Sequence, residues 1–181
     1  MIRLHSETAG HGRKNERNDK IAMKKLLFLI LAALTLMMGL TACGETGDKH
    51  PDLTAYYDSM AEKLDWSDES MAETPDDVLD IYYPGLRDIE TKQFIARSVM
   101  ISAAAEELVL MECNSSEDAQ AAKAILQQRV DDQVDGGAWY PSTIQTWENA
   151  QVSVNGSYAA LIVSGEHQEE LTEAYNALFA S

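Results

Sequence analysis

The sequence predicts a single domain of the α+β class with two layers: a four-stranded antiparallel sheet, made of two hairpins, with helices packed on one face. Three observations indicate this architecture. Apolar residues recur at helical spacing from Leu53 to Leu64, Glu107–Cys113 is an almost unbroken apolar run, and Asn155-Gly156 lies between two apolar segments. In chain order the predicted elements are ααββαββα.

Two helices open the predicted domain. Asp52 is a suitable N-cap for the first, whose apolar stripe runs through Leu64. Thr74, with Pro75 at the first helical position, begins the second and shorter helix. That helix is expected to end at Tyr83-Pro84-Gly85, because proline disfavours helical backbone in the residue before it.

The first predicted hairpin joins a strand within Gln93–Ser102 to a strand over Glu107–Cys113. A helix over Phe94–Ala105 is the alternative for the first of these segments. Asn114–Asp118 then offers capping residues and carboxylates for a long helix that reaches about Gln133. Its apolar stripe consists of Ala122, Ile125, Leu126 and Val130.

The second predicted hairpin turns at Asn155-Gly156, a pair that favours a type I′ turn because both central residues need positive φ. This register pairs Val154 with Ser157 and Val152 with Ala159, and it places one set of side chains on the core face: Val152, Val154, Ala159, Leu161 and Val163. A brief helical turn is expected near Ile144–Trp147 before the hairpin, and a last helix opens at Ser164 or Gly165.

The N-terminal region predicts export and a lipid anchor. Lys24-Lys25 precedes the uncharged apolar run Leu26–Met38, as in a signal peptide. The next residues, Leu40, Thr41, Ala42 and Cys43, fit a bacterial lipobox, in which the cysteine thiolate takes a diacylglyceryl group. A membrane-spanning helix is the alternative, but the 17 residues from Leu26 to Ala42 are at the short limit for a bilayer span.

These features divide the chain into four parts. Residues 1–22 are expected to be a non-native upstream extension, with translation starting at Met23; a long basic leader that begins at Met1 is the alternative. Residues 23–42 form the signal peptide, 43–51 a lipidated tether, and 52–181 the folded domain. Acyl chains on Cys43 would then hold the domain at the extracytoplasmic face of the cell membrane.

The chain is strongly acidic, with 14 Lys and Arg against 30 Asp and Glu. Removal of residues 1–42 takes away seven basic and three acidic residues, which leaves 14 − 7 = 7 basic and 30 − 3 = 27 acidic ones, a net charge of −20. Such a surface repels nucleic acid, so we expect no nucleic-acid partner. The charge favours either solubility away from an anionic membrane or attraction for cations and basic partners.

Motifs of catalysis and metal binding are scarce. The sequence contains no nucleophile elbow, phosphate-binding loop, dinucleotide glycine motif or Cys-x-x-Cys. His50 and His167 are too few for a zinc site of several imidazoles. Asp131–Gly136 partly matches a calcium loop, but Ser142 occupies the twelfth position, so a helix end with a glycine C-cap is expected instead. We therefore predict no cofactor, no metal site and no catalytic residue.

Three aromatic residues near the predicted loop after the long helix, Trp139, Tyr140 and Trp147, are candidate ligand contacts. They could stack against a sugar or a peptide, and a lid over the core is the alternative. Several carboxylates within 65–80 suggest a second alternative, a hydrolase, which would need two of them facing across a cleft. Cys113 has no partner once Cys43 carries lipid, and we expect it in the core.

Several segments together resemble a known family. They are Asp77–Tyr83, Glu106–Leu110, Tyr140-Pro141 and Ala150–Ser164. From about Leu53 to Phe179 the chain is similar to domain of unknown function 4358, found in small lipoproteins of Gram-positive gut anaerobes. The resemblance implies an extracytoplasmic lipoprotein and supplies no catalytic residues.

The function expected from the sequence is a non-enzymatic binding or accessory domain held at the cell surface by Cys43. Its partner would be an unidentified protein or small molecule. Two alternatives stay open: a carboxylate-dependent hydrolase acting on wall or glycan, and a passive structural lipoprotein.

Overall fold

The structure, a computed structural model, describes residues 50–101 and 103–180. The predicted extension 1–22, the signal peptide 23–42, its lipobox residues Leu40, Thr41 and Ala42, and the lipidation site Cys43 lie outside the described residues. Among the residues described, no helix combines the length and the apolar composition that a bilayer crossing requires.

The described elements follow one another as helices and strands of unequal length. In chain order they are α1 Leu53–Lys63, β1 Ala72–Glu73, α2 Asp76–Tyr82, β2 Thr91–Ser98, β3 Glu107–Cys113, α3 Ser116–Asp132, α4 Pro141–Glu148, β4 Gln151–Asn155, β5 Tyr158–Val163 and α5 Gln168–Ala177. A 3-10 turn, Leu86–Asp88, precedes β2, and a π-helical turn, Gln133–Gly137, follows α3.

The predicted α+β class is confirmed, but the predicted strand number and element order are wrong. Within the described residues the sheet has five strands in the order β1-β2-β3-β5-β4, and all neighbours are antiparallel. The order ααββαββα omitted β1 and α4. β1 has only two residues, too few for an alternating pattern to be visible, and α4 extends the expected turn at Ile144–Trp147 to eight residues.

The prediction of helices on one face is also wrong, because both faces of the sheet are covered. Val109 and Met111 of β3 pack in one cluster with residues of α2, α3 and α4, while Leu108 and Leu110 pack in a second cluster with α1 and α5. All seven residues of β3 and all six of β5 are buried. Strands buried on both sides read as continuous apolar runs, and that is how both strands appear in the sequence.

The β4–β5 hairpin has the predicted core face but a different turn. Asn155 pairs with Tyr158 and Val154 with Ala159, so Gly156 and Ser157 form the loop. Gly156 has φ +59°, whereas Asn155 and Ser157 have no positive φ, a pattern of type II′ rather than type I′. Each β4 residue meets a partner two positions further along β5 than predicted, so the same side chains still face the core.

The local signals at the ends of several elements are confirmed. Asp52 accepts a hydrogen bond from the Ala55 amide at 2.9 Å, and Ser115 accepts one from the Asp118 amide at 3.1 Å. β3 has the predicted bounds, and β2 is a strand rather than a helix. The predicted N-cap Thr74 is wrong: Pro75 is the N-cap of α2, which begins at Asp76, because Thr74 instead continues the pairing with β2, where its hydroxyl lies 2.9 Å from that of Ser98. α5 begins at Gln168, later than expected.

Candidate functional site

A cavity of about 520 Å³ lies beside the N-terminal end of β3. Its walls come from four parts of the chain: the end of α2, the connection from β2 into β3, the C-terminal end of α3 with the π-helical turn, and α4 with the loop that leads into it. We call it the Arg129 cavity. The side chains that matter below are Glu106, Glu107, Arg129, Trp139 and Trp147.

One wall of the Arg129 cavity is a buried ion pair. Arg129 Nε lies 3.2 Å from Glu107 Oε1, and Arg129 Nη2 lies 3.1 Å from Glu107 Oε2. The two side chains are only 11% and 6% exposed. This two-point contact fixes the orientation of the guanidinium relative to the carboxylate, and the opposite charges strengthen both hydrogen bonds.

The hydroxyl of Tyr83 completes this pair by donating a hydrogen bond to Glu107 Oε1. Burial first, and then the charge of Glu107, raises the pKa of Tyr83 well above its ordinary value. The tyrosine therefore stays a proton donor to Glu107 at physiological pH, and both carboxylate oxygens of Glu107 are occupied.

Two aromatic rings lie against the Arg129 guanidinium. Its central carbon lies 3.8 Å from the ring centre of Tyr82 and 5.1 Å from that of Trp147. Burial on its own lowers the pKa of Arg129, but the hydrogen bonds and the charge of Glu107 raise it, so that the pKa lies above its ordinary value. Arg129 is therefore a permanent cation that pairs with Glu107 through Nε and Nη2 and contacts two aromatic rings.

The neighbouring Glu106 is held differently. Its Oε1 accepts a hydrogen bond from the Gly165 amide at 2.8 Å. Its Oε2 is shielded from solvent and accepts no hydrogen bond from any described residue. None of the described cationic side chains forms an ion pair with it. Glu106 is therefore a cavity-lining carboxylate with one oxygen that has no hydrogen-bond partner among the described residues.

The structure brings two of the three predicted contact aromatics to this cavity. Trp139 is 85% exposed and lines it, and Trp147 lines it from α4 while being only 4% exposed. Tyr140 is half exposed and is not among the lining residues. Two further exposed apolar side chains, Met100 and Ile101, also line this cavity. An apolar rim above a few polar groups is typical of ligand sites.

Sequence reasoning missed the charged residues of this site. A signal was present in α3, where Arg129 follows Ile125 by four positions and Leu126 by three, and so lies on the apolar stripe. A cation on a buried stripe requires an acidic partner. Nothing local to Glu107 identified it as that partner, because it reads as the polar end of an apolar strand.

The acidic residues proposed for a hydrolase do not face the Arg129 cavity. Arg87 binds Asp76 at 2.6 Å and Arg97 binds Asp68 at 3.2 Å on the exposed surface. The calcium-like segment is the helix end that the sequence predicts, but Gly136, with φ +130°, lies inside the π-helical turn rather than at the C-cap. Within 50–101 and 103–180, no group of three or more His, Cys, Asp and Glu side chains is arranged to hold a metal ion.

The first described residues of the chain contact the opposite end of β3, next to Glu112. The Gln93 side chain accepts a hydrogen bond from the Leu53 amide at 2.9 Å and donates to the Pro51 carbonyl at 2.9 Å and to Glu112 Oε2 at 2.6 Å. His50 Nδ1 lies 3.6 Å from Glu112 Oε1. We call this arrangement the Gln93 clamp. Glu107 and Glu112 are five residues apart in β3, or about 17 Å at about 3.4 Å per residue.

Hydrogen bonds favour the charged form of Glu112 in the Gln93 clamp. Burial on its own raises the pKa of Glu112, but the hydrogen bonds from Gln93 and Tyr158 and the charge of Lys92 lower it, so that the pKa lies below its ordinary 4.5. The carboxylate therefore favours its charged form in the folded protein.

Comparison with known proteins gives one match. The model of a family described as "Domain of unknown function (DUF4358)" matches residues 64–164, which include all the lining residues named above. No curated protein and no solved structure matches the chain. The matched range is 164 − 64 + 1 = 101 of 181 residues, more than half of the chain.

Proposed function

The chain belongs to the family of the domain of unknown function DUF4358, and on that premise we propose that it is a lipid-anchored, non-enzymatic binding domain at the outer face of the cell membrane. Its ligand occupies the Arg129 cavity. The observation that carries the proposal is this cavity, about 520 Å³ in volume, with a fixed ion pair in one wall and the exposed Trp139 in another. Small-molecule sites have volumes of roughly 300–1,000 Å³.

The hydrogen bonds of Glu106 and Glu107, the two carboxylates that line the cavity, favour ligand binding over hydrolysis. Hydrolysis by paired carboxylates needs one group to give a proton and the other to attack or activate water. Glu107 has both oxygens engaged by Arg129 and Tyr83, which leaves Glu106 alone to act. A hydrolase would further require that Glu107 give up the pairing that keeps Arg129 in place.

The exposed apolar side chains argue against a purely structural role. Trp139, Met100 and Ile101 are all more than half exposed and line one cavity. A cluster of exposed apolar side chains is characteristic of a surface that meets another molecule. A passive domain would gain solubility from polar residues at these positions.

The position of the cavity suits an anchored domain. The chain enters at the Gln93 clamp, at one end of β3, and the cavity lies beside the other end. His50 follows the proposed lipid-bearing Cys43 by 50 − 43 = 7 residues. A membrane at the clamp end leaves the opening of the cavity toward the surroundings of the cell.

Fragment binding tests the ligand site. We expect ligand-observed NMR with the purified full-length chain to find small aromatic fragments that bind, and Trp139→Ala to weaken them because it removes the exposed lining ring. Tyr140→Ala is the matched control, since Tyr140 is the adjacent aromatic but does not line the cavity. Fragments that bind both variants equally well, or no binding at all, would contradict a ligand site here.

Mass spectrometry tests the anchor. We expect the mature protein to begin at Cys43 and to carry a diacylglyceryl group, because the lipobox directs cleavage before that residue. Cys43→Ala should leave the chain unprocessed. A mature wild-type chain that retains Leu26–Ala42 would overturn the anchor and leave the cavity proposal standing.

A further inference from the structure

We infer that the ligand of the Arg129 cavity is a cation, specifically a primary ammonium group attached to an apolar body. This inference rests on the proposed function, since it names the chemical class that the same cavity accepts. Three observations support it: the net charge of the side chains that line the cavity, the Glu106 oxygen without a hydrogen-bond partner, and the exposed apolar side chains at the rim.

The charged side chains that line the cavity do not cancel. They are Glu106, Glu107 and Arg129. Glu107 and Arg129 neutralise one another through their two-point contact, so the remaining charge is that of Glu106. The acidic surface of residues 43–181, with 27 acidic and seven basic side chains, adds a favourable long-range field for a cation.

Glu106 supplies the specific contact. A carboxylate oxygen that is shielded from water and accepts no hydrogen bond raises the free energy of the folded state. Oε2 of Glu106 is in this state, while Oε1 is fixed by the Gly165 amide. Glu106 lines the cavity, and a rotation of its side chain would bring Oε2 to a bound ammonium group. The two then form a charge-assisted hydrogen bond, and the ammonium group still has two N–H donors for other acceptors.

The rest of the lining defines the body of the ligand and excludes anions. Trp139 and Met100 present exposed apolar surface beside the cavity, and the indole face of Trp139 also attracts a cation. An anionic ligand would need Arg129, but the charge of Arg129 is already balanced by Glu107 at Nε and Nη2, and the unpaired carboxylate of Glu106 in the same lining repels an anion. Displacing Glu107 would leave a buried carboxylate without its partner.

The experiment compares two probes of nearly equal shape on the purified full-length chain. Phenethylamine carries the ammonium group at neutral pH, whereas 2-phenylethanol replaces it with a neutral hydroxyl. We expect NMR titration to show that phenethylamine binds about tenfold or more tightly, because hydrogen bonds between charged groups are stronger than neutral ones. Glu106→Gln should abolish the preference, and the exposed Glu173→Gln, which changes the net charge equally, should keep it.

The outcomes separate the two proposals. Equal binding of both probes, with both weakened by Trp139→Ala, would overturn the ammonium class and leave the ligand site intact. Tighter binding of the anion 3-phenylpropionate would also overturn it. If none of these probes and no fragment binds, the proposed function itself fails. The probe comparison on the wild-type chain remains decisive even if Glu106→Gln does not fold.

Discussion

Arg129 links the stability of the domain to its cavity. Arg129→Met removes the guanidinium and leaves the carboxylate of Glu107, which is only 6% exposed, without its cationic partner. We expect the free energy of unfolding to fall by about 3–5 kcal/mol, the usual consequence of breaking a buried pair from one side. Urea denaturation followed by circular dichroism measures this loss.

A surface pair provides the control for Arg129. Arg87→Met breaks the ion pair between Arg87 and Asp76, whose side chains are 45% and 77% exposed, respectively. It should lower the free energy of unfolding by at most about 1 kcal/mol. The double variant Glu107→Leu, Arg129→Met should recover part of the loss, because no charge is then left buried. An Arg129→Met protein as stable as the Arg87→Met protein would show that Glu107 finds another partner.

Glu112 makes stability depend on acid pH. Its pKa in the folded protein lies below the ordinary 4.5, so the unfolded chain takes up the proton first. The stabilisation is complete above about pH 4.5 and is lost as the pH falls from there through the folded-state pKa. We expect Glu112→Gln to flatten the fall of the urea midpoint between about pH 5 and pH 3. The exposed Glu117→Gln is the control, and an unchanged slope in Glu112→Gln would refute the role of the clamp.

At the scale of elements, the β4–β5 turn depends on one backbone conformation. Gly156 has φ +59°, and a Cβ at this position would meet no atom within 4 Å, so a substitution there is opposed by the backbone alone. We expect Gly156→Val to lower the free energy of unfolding by about 1–2 kcal/mol. Gly156→Asn should cost less, since asparagine tolerates positive φ. Equal losses in the two variants, measured by urea denaturation, would point to a turn that rearranges.

Some elements could be read from the sequence and others could not. The caps Asp52 and Ser115 act within three residues, so a local pattern is sufficient to identify them. β1 pairs only Ala72 and Glu73 with the end of β2, and two residues carry no periodicity. The turn residues of the hairpin were displaced, yet its core face was right because a two-residue shift preserves the side of every side chain.

At the scale of the whole molecule, the proposed anchor and the cavity make a prediction about accessibility in intact cells. Two exposed positions can be compared by labelling single cysteines: Trp139 lies at the cavity end of the domain, and Asn114 lies next to the clamp end of β3. The variants are Trp139→Cys and Asn114→Cys. We expect a bulky polyethylene-glycol maleimide to label Trp139→Cys faster on cells, because the proposed anchor would place the membrane next to the clamp end.

Detergent extraction is the control for this labelling. Without the membrane, Trp139→Cys and Asn114→Cys should be labelled at similar rates. The native Cys113 gives little background because it is buried, and burial, followed by the charge of Asp118, raises the pKa of its thiol. Faster labelling of Asn114→Cys on cells would mean that the domain has the opposite orientation.

The sequence by itself determined the α+β class, the core face of the last hairpin and the burial of Cys113, because each follows from periodicity or composition over a few residues. Only the tertiary structure decided that helices cover both faces of the sheet and that Glu107 meets Arg129, 22 residues away. Such a pair forms when α3 packs on β3, and no local pattern encodes which distant acid a buried cation will meet. The Arg129 cavity exists for the same reason, since its walls come from segments that are neighbours only in the folded chain.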